Sequence, residues 1–488
     1  MNYKKAIFIF ITAITIFRLI YINLFPIIPD EAYYWQWARH LDFGYYEQGP
    51  ILAIVIFIFT LFTKINTLFT IRLGAVVLSL LTMILSVLTY KKLFPGKNND
   101  KGSFFNLLFM NSAIIYSAGA VLMMHDTVMI FFFALFIYEM LIIFDKPDNY
   151  MRWAFAGIIL GFGVMSKYTL LIIYPSLIIF LILSKFDRKY IRGPLILSVF
   201  FLLSLFPVIY WNITHNFASI NFILTLNQAG PKINFNFKYF FEFLGGQLVV
   251  VSVFLVPFFI LSLVKNIKNR GFNPHYMISC FFIIPMICFM IMSLKSRIEA
   301  NWPAFLFYPL FFIATNYLLS DIKYSRIKHI IYTAGFISLI VIYIQIVMPF
   351  IPFSEKADIS KKFYGYKQLA EKLQPIYDKY KDKGVVFFTA RHYQVASALA
   401  FYLPGQPNVY IVVPHEANKN YRFWNTYRNT PCFNAIYVYR EGWEHDDMKS
   451  FFKSSDIIDK IDITRNNKTM NTYYVDFDTC YLGPKVAK

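Results

Sequence analysis

Pro29-Asp-Glu-Ala-Tyr-Tyr-Trp-Gln-Trp-Ala-Arg-His-Leu-Asp-Phe-Gly-Tyr-Tyr-Glu-Gln-Gly-Pro50 sets carboxylates, an arginine, a histidine and a dense run of aromatic rings between two strongly apolar segments. An ionised carboxylate at the centre of a bilayer costs about 2.5–3.5 kcal/mol even on insertion scales. This stretch therefore belongs at a membrane surface or in a wet cavity, and it is a candidate site.

The rest of the chain agrees. Of 488 residues, 57% are hydrophobic, 20% aromatic and only 15% charged, which excludes an ordinary soluble protein. Apolar runs recur from Ala6 to Phe350, many long enough to cross a core of about 30 Å at about 1.5 Å per helical residue. The net charge of +19 is spread over short loops, as topology signals are, so nucleic acid is not an expected partner.

Ala6 to Pro26 reads as an uncleaved first span with a cytoplasmic N-terminus, because no small-residue cleavage site follows it. Ile51 to Thr63 is too short to cross and should lie in, or re-enter, the outer leaflet. Spans are then expected at 69–90, 104–122, 127–145, 149–165, 168–184, 194–211, 246–264, 275–294, 302–319 and 328–350. This places the basic loops around Lys91, Lys185, Lys265 and Lys323 inside. The expectation is a polytopic α-helical membrane protein of about 11 to 13 transmembrane helices. Its domains would be 1–350, with 27–63 as the first external loop carrying juxtamembrane helices, and a soluble extracytoplasmic α/β domain at 351–488.

In that tail, 366–383 and 395–403 have helical spacing, while 384–390, 408–413 and 435–439 read as strands. Cys432 and Cys480 lie in it and could pair if it is outside the cytoplasm. No repeat or inverted pair of broken helices is visible, which argues against a secondary transporter.

On this topology the polar residues gather on one side: Asp30, Glu31, Glu47, His125, Asp126, Lys167, His215, Lys295, Arg297 and Glu299, beside Trp302. Cations and tyrosines there could hold a lipid phosphate while a carboxylate serves as general base. Plainer roles are open for each. Asp30 and Asp126 could cap helices, Lys167 could snorkel, and His215 could be a hydrogen-bonded loop residue. Glu47 and His215 are weak candidates for a divalent metal, with no spacing motif behind them.

The 29–50 loop resembles the first external loop of the GT-C glycosyltransferases of the protein O-mannosyltransferase and aminoarabinose lipid A transferase superfamily. There an Asp-Glu pair follows the first span and a Tyr-Tyr-acid-x-Pro-Pro element closes the loop. The resemblance continues through Arg72-Leu73, Met124-His125-Asp126, the 161–168 segment ending Ser166-Lys167-Tyr168, Trp211-Asn212, and Ser296-Arg297 to Asn301-Trp302-Pro303. It implies a GT-C fold and an inverting transfer of one sugar from a polyprenyl phosphate donor. The acceptor would be lipid A or another envelope glycan at the periplasmic face of a bacterial inner membrane.

By position, the resemblance makes Asp30, Glu31 and Asp126 the catalytic candidates. It makes Tyr33, Tyr34, Tyr46, Lys167 and Arg297 candidates for the donor phosphate or lipid, with Glu47, Gln48, His125 and Trp302 as acceptor or loop support. Gln48-Gly49-Pro50 departs from the usual basic-residue-Pro-Pro ending, so either another base such as Lys167 or Arg297 takes that load or the donor geometry differs. A monomer is expected. Protein O-mannosylation is the neighbouring alternative; a lipid or solute transporter and a non-catalytic assembly protein are the rivals from other classes.

Overall fold

Proline and small residues decide where the apolar segments of this chain run straight and where they break. The computed structural model describes residues 2–226, 235–320, 324, 326–351, 364–412, 416–442, 448–465 and 468–483. Lys323, Val413 and the middle of the 212–243 loop lie outside these. The chain forms two compact units, one of Met1–Leu24 with Leu41–Met348, the other of Phe25–His40 with Pro349–Lys488.

The first unit is helical. Tyr3–Tyr21 opens it, with the Asn2 side chain accepting from Lys5 N as its cap. Four helices are long and apolar enough to cross a membrane: Leu68–Leu93, His125–Asp145, Pro274–Ser293 and Ile327–Val347. Tyr150–Ser166 and two shorter apolar segments accompany them.

Several expected spans are broken. Arg192–Ser204 and Phe206–Thr214 meet at 41°, and Phe237–Val251 and Val256–Ile267 meet at 98°. In both, the second helix carries proline in its first turn, at Pro207 and Pro257. The ring removes a donor and clashes with the carbonyl four residues back, so the helix restarts instead of continuing. Ser252, at φ 110°, completes the second break. The expected 104–122 span is Asn99–Ser112 followed by Ile114–Ala118, interrupted where Ala113 takes extended backbone. Ile51–Phe59 is as short as its sequence required.

Gly157 and Gly161 bring Tyr150–Ser166 against Arg192–Ser204. A Cβ on Gly157 would stand 2.3 Å from Leu197 O, and one on Gly161 would stand 1.7 Å from Ser204 Oγ. Small residues four apart allow this backbone approach, which lipid-embedded helices use in place of a hydrophobic driving force. Buried arginines find partners on other segments of the same unit: Arg18 donates to Asn111 Oδ1 at 2.7 Å, and Arg72 to Ile22 O at 2.8 Å.

The second unit is α/β. Strands β1 (Val386–Ala390), β2 (Val409–Tyr410), β3 (Asn434–Arg440), β4 (Phe452–Arg465) and β5 (Lys468–Tyr481) form one sheet in the order β2-β1-β3-β5-β4. β1 runs parallel to β2 and β3, and the remaining pairs are antiparallel. Helix Tyr393–Tyr402 makes the crossover after β1 and packs on helix Pro29–Arg39. The long β4–β5 hairpin was not legible, because β4 is mostly exposed and polar and lacks clean alternation. Cys432 and Cys480 are joined in a disulfide.

Candidate functional site

The first-loop acids divide their work within the second unit. Pro29 occupies the first turn of helix Pro29–Arg39, where its missing N–H costs nothing. Glu31 is fully buried and its Oε2 accepts from Ile28 N at 3.2 Å, so Glu31, not Asp30, closes the helix terminus.

Asp30 is thereby left for other work. Its Oδ1 accepts from Tyr393 Oη at 3.0 Å and from Gln394 Nε2 at 3.2 Å. Lys419 Nζ donates to the same tyrosine oxygen at 3.0 Å and lies 4.1 Å from the centre of its ring. The chain Lys419–Tyr393–Asp30 delivers positive charge to the carboxylate through a neutral phenol and fixes its rotamer. Asp30 Oδ2 has no hydrogen-bond partner among the described residues. Tyr393, Gln394 and Lys419 were missed as site residues. For Tyr393 and Gln394 the one sequence signal was the polar run Arg391-His-Tyr-Gln394 in a strand-to-helix connection; Lys419 had none.

Tyr33 is fully buried, its hydroxyl accepting from Asn420 N at 3.0 Å, and its ring packs against Tyr34, Trp37 and Tyr393. It serves as packing beneath Asp30. Tyr34 is partly exposed beside it.

In the first unit, Asp126 and Lys167 form a buried ion pair at 2.7 Å. Asn301 Nδ2 donates to the other Asp126 oxygen at 2.9 Å. Three segments far apart in sequence thus meet at one carboxylate, and neither the capping role for Asp126 nor the snorkelling role for Lys167 describes them. His125 bonds the Ser166 carbonyl through Nδ1 at 2.8 Å, holding the start of its helix to the turn that carries Lys167.

Gln48 belongs to the same assembly: its Oε1 accepts from Tyr168 N at 2.8 Å. Gly49 lies so close to the chain that a Cβ would stand 2.3 Å from Met165 O. The departure from the usual loop ending therefore has a structural meaning. A neutral acceptor and a bare backbone dock the loop onto residues 165–168.

The remaining candidates lie elsewhere. Tyr46 is buried against the Phe222 ring, with centroids 4.6 Å apart. Glu47 is partly exposed. Arg297 is exposed and paired with exposed Glu299 at 3.6 Å, a contact of little energetic weight. Trp302 packs at the edge of the helical core. His215 stacks on Trp211 at 4.2 Å and bonds its carbonyl through Nδ1. Among the described residues no three His, Cys, Asp or Glu side chains group as metal ligands, so Glu47 and His215 gain no company.

The family model for dolichyl-phosphate-mannose-protein mannosyltransferases matches residues 49–211. A lipid A galacturonosyltransferase, RgtD of Rhizobium johnstonii, is 22% identical over 294 residues. That alignment covers 59% of this chain and 60% of the relative's length. The crystal structure of ArnT from Cupriavidus metallidurans bound to undecaprenyl phosphate superposes with a TM-score of 0.65 at 13% identity, over 96% of this chain and 97% of that one. Its apo form gives 0.66 at 12% identity, over 97% and 98%. The chain thus shares the fold of ArnT and is similar, in residues 49–211 and along the alignment with the relative, to protein O-mannosyltransferase-like glycosyltransferases.

Proposed function

We propose that this chain is an inverting glycosyltransferase of a bacterial inner membrane, moving one sugar from a polyprenyl phosphate to lipid A or another envelope glycan at the periplasmic face. The observation that carries it is Asp30: a carboxylate held through one oxygen by Tyr393 and Gln394, with the other oxygen left for a proton. The names of the similar proteins, one a lipid A transferase and one seen with undecaprenyl phosphate, support the choice of donor and acceptor class.

In this reading an acceptor hydroxyl oxygen attacks the anomeric carbon as the bond from that carbon to the phosphate oxygen breaks. The bonding pair leaves on the polyprenyl phosphate. Asp30 takes the acceptor's proton. Phosphate is already a weakly basic leaving group and needs positive charge more than a proton. Glu31 acts on the helix and not on substrate. Protein hydroxyls are the alternative acceptor, favoured by the description of the matching family. No resident metal or cofactor enters this scheme.

Mass spectrometry of envelope lipids tests it, using cells with the wild-type protein, without it, and with Asp30→Asn at equal membrane abundance. The expected result is loss of one sugar increment from lipid A in both defective strains, with accumulation of the polyprenyl phosphate sugar. Unchanged lipids would overturn the lipid acceptor.

A further inference from the structure

Helix Pro29–Arg39 carries a second feature beyond Asp30. Its C-terminal end forms one wall of a pocket within the same unit, with a cavity volume of about 110 Å³, lined by Gln36, His40, Asn408, Tyr410, Tyr421 and Trp424 among others. We infer that this pocket is a saccharide subsite for an anionic pyranose, one bearing a phosphate or a carboxylate. The inference rests on the transferase reading and extends it to recognition of the acceptor glycan.

The lining suits a sugar ring. Pyranose C–H bonds pack on the electron-rich faces of aromatic rings, and here Tyr410, Phe423 and Trp424 are partly exposed around one space. Trp424 is held by a stacked His40 at 4.6 Å and by the edge of Tyr421 at 5.0 Å, so the platform is rigid before any ligand arrives. Gln36, Asn408 and Thr426 add amide and hydroxyl groups that can both donate and accept, as ring hydroxyls require.

The charge comes from Arg39. Its guanidinium lies over Trp35 at 4.8 Å and donates at 3.5 Å to Oε1 of Gln36, a side chain that lines the pocket. It has no carboxylate partner among the described residues. Burial lowers the His40 pKa, so that imidazole remains a neutral hydrogen-bonding wall at neutral pH. One partly buried cation with no carboxylate partner among the described residues, beside aromatic faces, fits an anion attached to a ring; a free inorganic anion has no use for the rings.

Placement is consistent with a remote glycan. Gln36 stands roughly 9 Å along the helix axis from Asp30 at 1.5 Å per residue. That is within reach of a short oligosaccharide.

The test is binding to the full-length protein in detergent, by isothermal titration and saturation-transfer NMR. The probes are N-acetylglucosamine 1-phosphate, galacturonate, N-acetylglucosamine, galactose and inorganic phosphate. The expected result is that one or both anionic sugars bind more tightly than the neutral sugars and phosphate. Whichever binds better identifies phosphate or carboxylate as the source of charge. Arg39→Gln and Trp424→Ala should each weaken that binding about tenfold. Equal affinity for neutral and anionic sugars, equal affinity for inorganic phosphate, or binding unaffected by both substitutions would overturn the proposal. Should those variants fail to fold, Asn408→Ala with Thr426→Ala, both exposed, takes their place: about fivefold weaker binding is expected, and no change overturns it. Turnover is not the readout, so failure of the envelope-lipid test would remove the transferase reading while leaving a measured subsite standing, and the reverse also holds.

Discussion

The Asp30 carboxylate gets its orientation from neutral donors and its charge compensation at one remove, through Tyr393 from Lys419. The carboxylate is thereby oriented by donors that touch only one of its oxygens. Tyr393→Phe should therefore lower kcat about tenfold with little change in KM, the equivalent of about 1.4 kcal/mol for one hydrogen bond to a charged group. Steady-state assay with a polyprenyl phosphate sugar checks this. The Asp126–Lys167 pair makes a different prediction. Asp126→Asn leaves a lysine buried without its counter-charge and should destabilise the helical unit by about 3–5 kcal/mol. Asp126→Asn with Lys167→Met should recover most of that in a thermal melt while transfer stays lost.

At the scale of elements, the 44–50 loop depends on Gly49. Gly49→Ala puts a methyl 2.3 Å from Met165 O and should push the Gln48–Tyr168 contact apart, costing about 1–3 kcal/mol. A lowered melting temperature with a several-fold drop in transfer is expected, and Gly49→Ala behaving as wild type would show that the loop has slack.

In the sheet, β5 carries Asp476 and Asp478, both fully buried. Burial, then the neighbouring Asp476 and Asp456 charges, push the Asp478 carboxyl up to about 7. The folded state thus binds this proton more tightly than the unfolded chain does. Stability from this group is full below about pH 4 and falls, by at most about 1.4 kcal/mol per pH unit, up to about pH 7. Asp478→Asn should flatten that slope and raise the melting temperature at pH 8.

For the whole molecule, the proposed topology puts the N-terminus inside and the tail outside. Substituted cysteines at 30 and 299 should then react with an impermeant reagent from the periplasmic side, and cysteines at 97 and 268 should not. Reaction of the second pair would invert the topology. The Cys432–Cys480 disulfide, 48 residues apart, fits an oxidising compartment, and removing it should cost about 4 kcal/mol of stability in the tail by loop entropy.

The amino-acid sequence by itself determined that this is a helical membrane protein with an α/β tail, because burial of apolar side chains is additive along the chain and readable in any window. It singled out Asp30, Asp126 and Lys167 for a similar reason: charge beside apolar runs is conspicuous wherever it falls. Only the tertiary structure decided what those charges touch. The partners of Asp30 come from residues 393, 394 and 419, and the carboxylate of Asp126 gathers Lys167 and Asn301 from two other segments. The broken spans, the meaning of Gln48-Gly49 and the exchange of roles between Asp30 and Glu31 were hidden likewise. Hydrogen bonds are short and directional, so their pairing depends on where distant segments are brought, which no local pattern encodes.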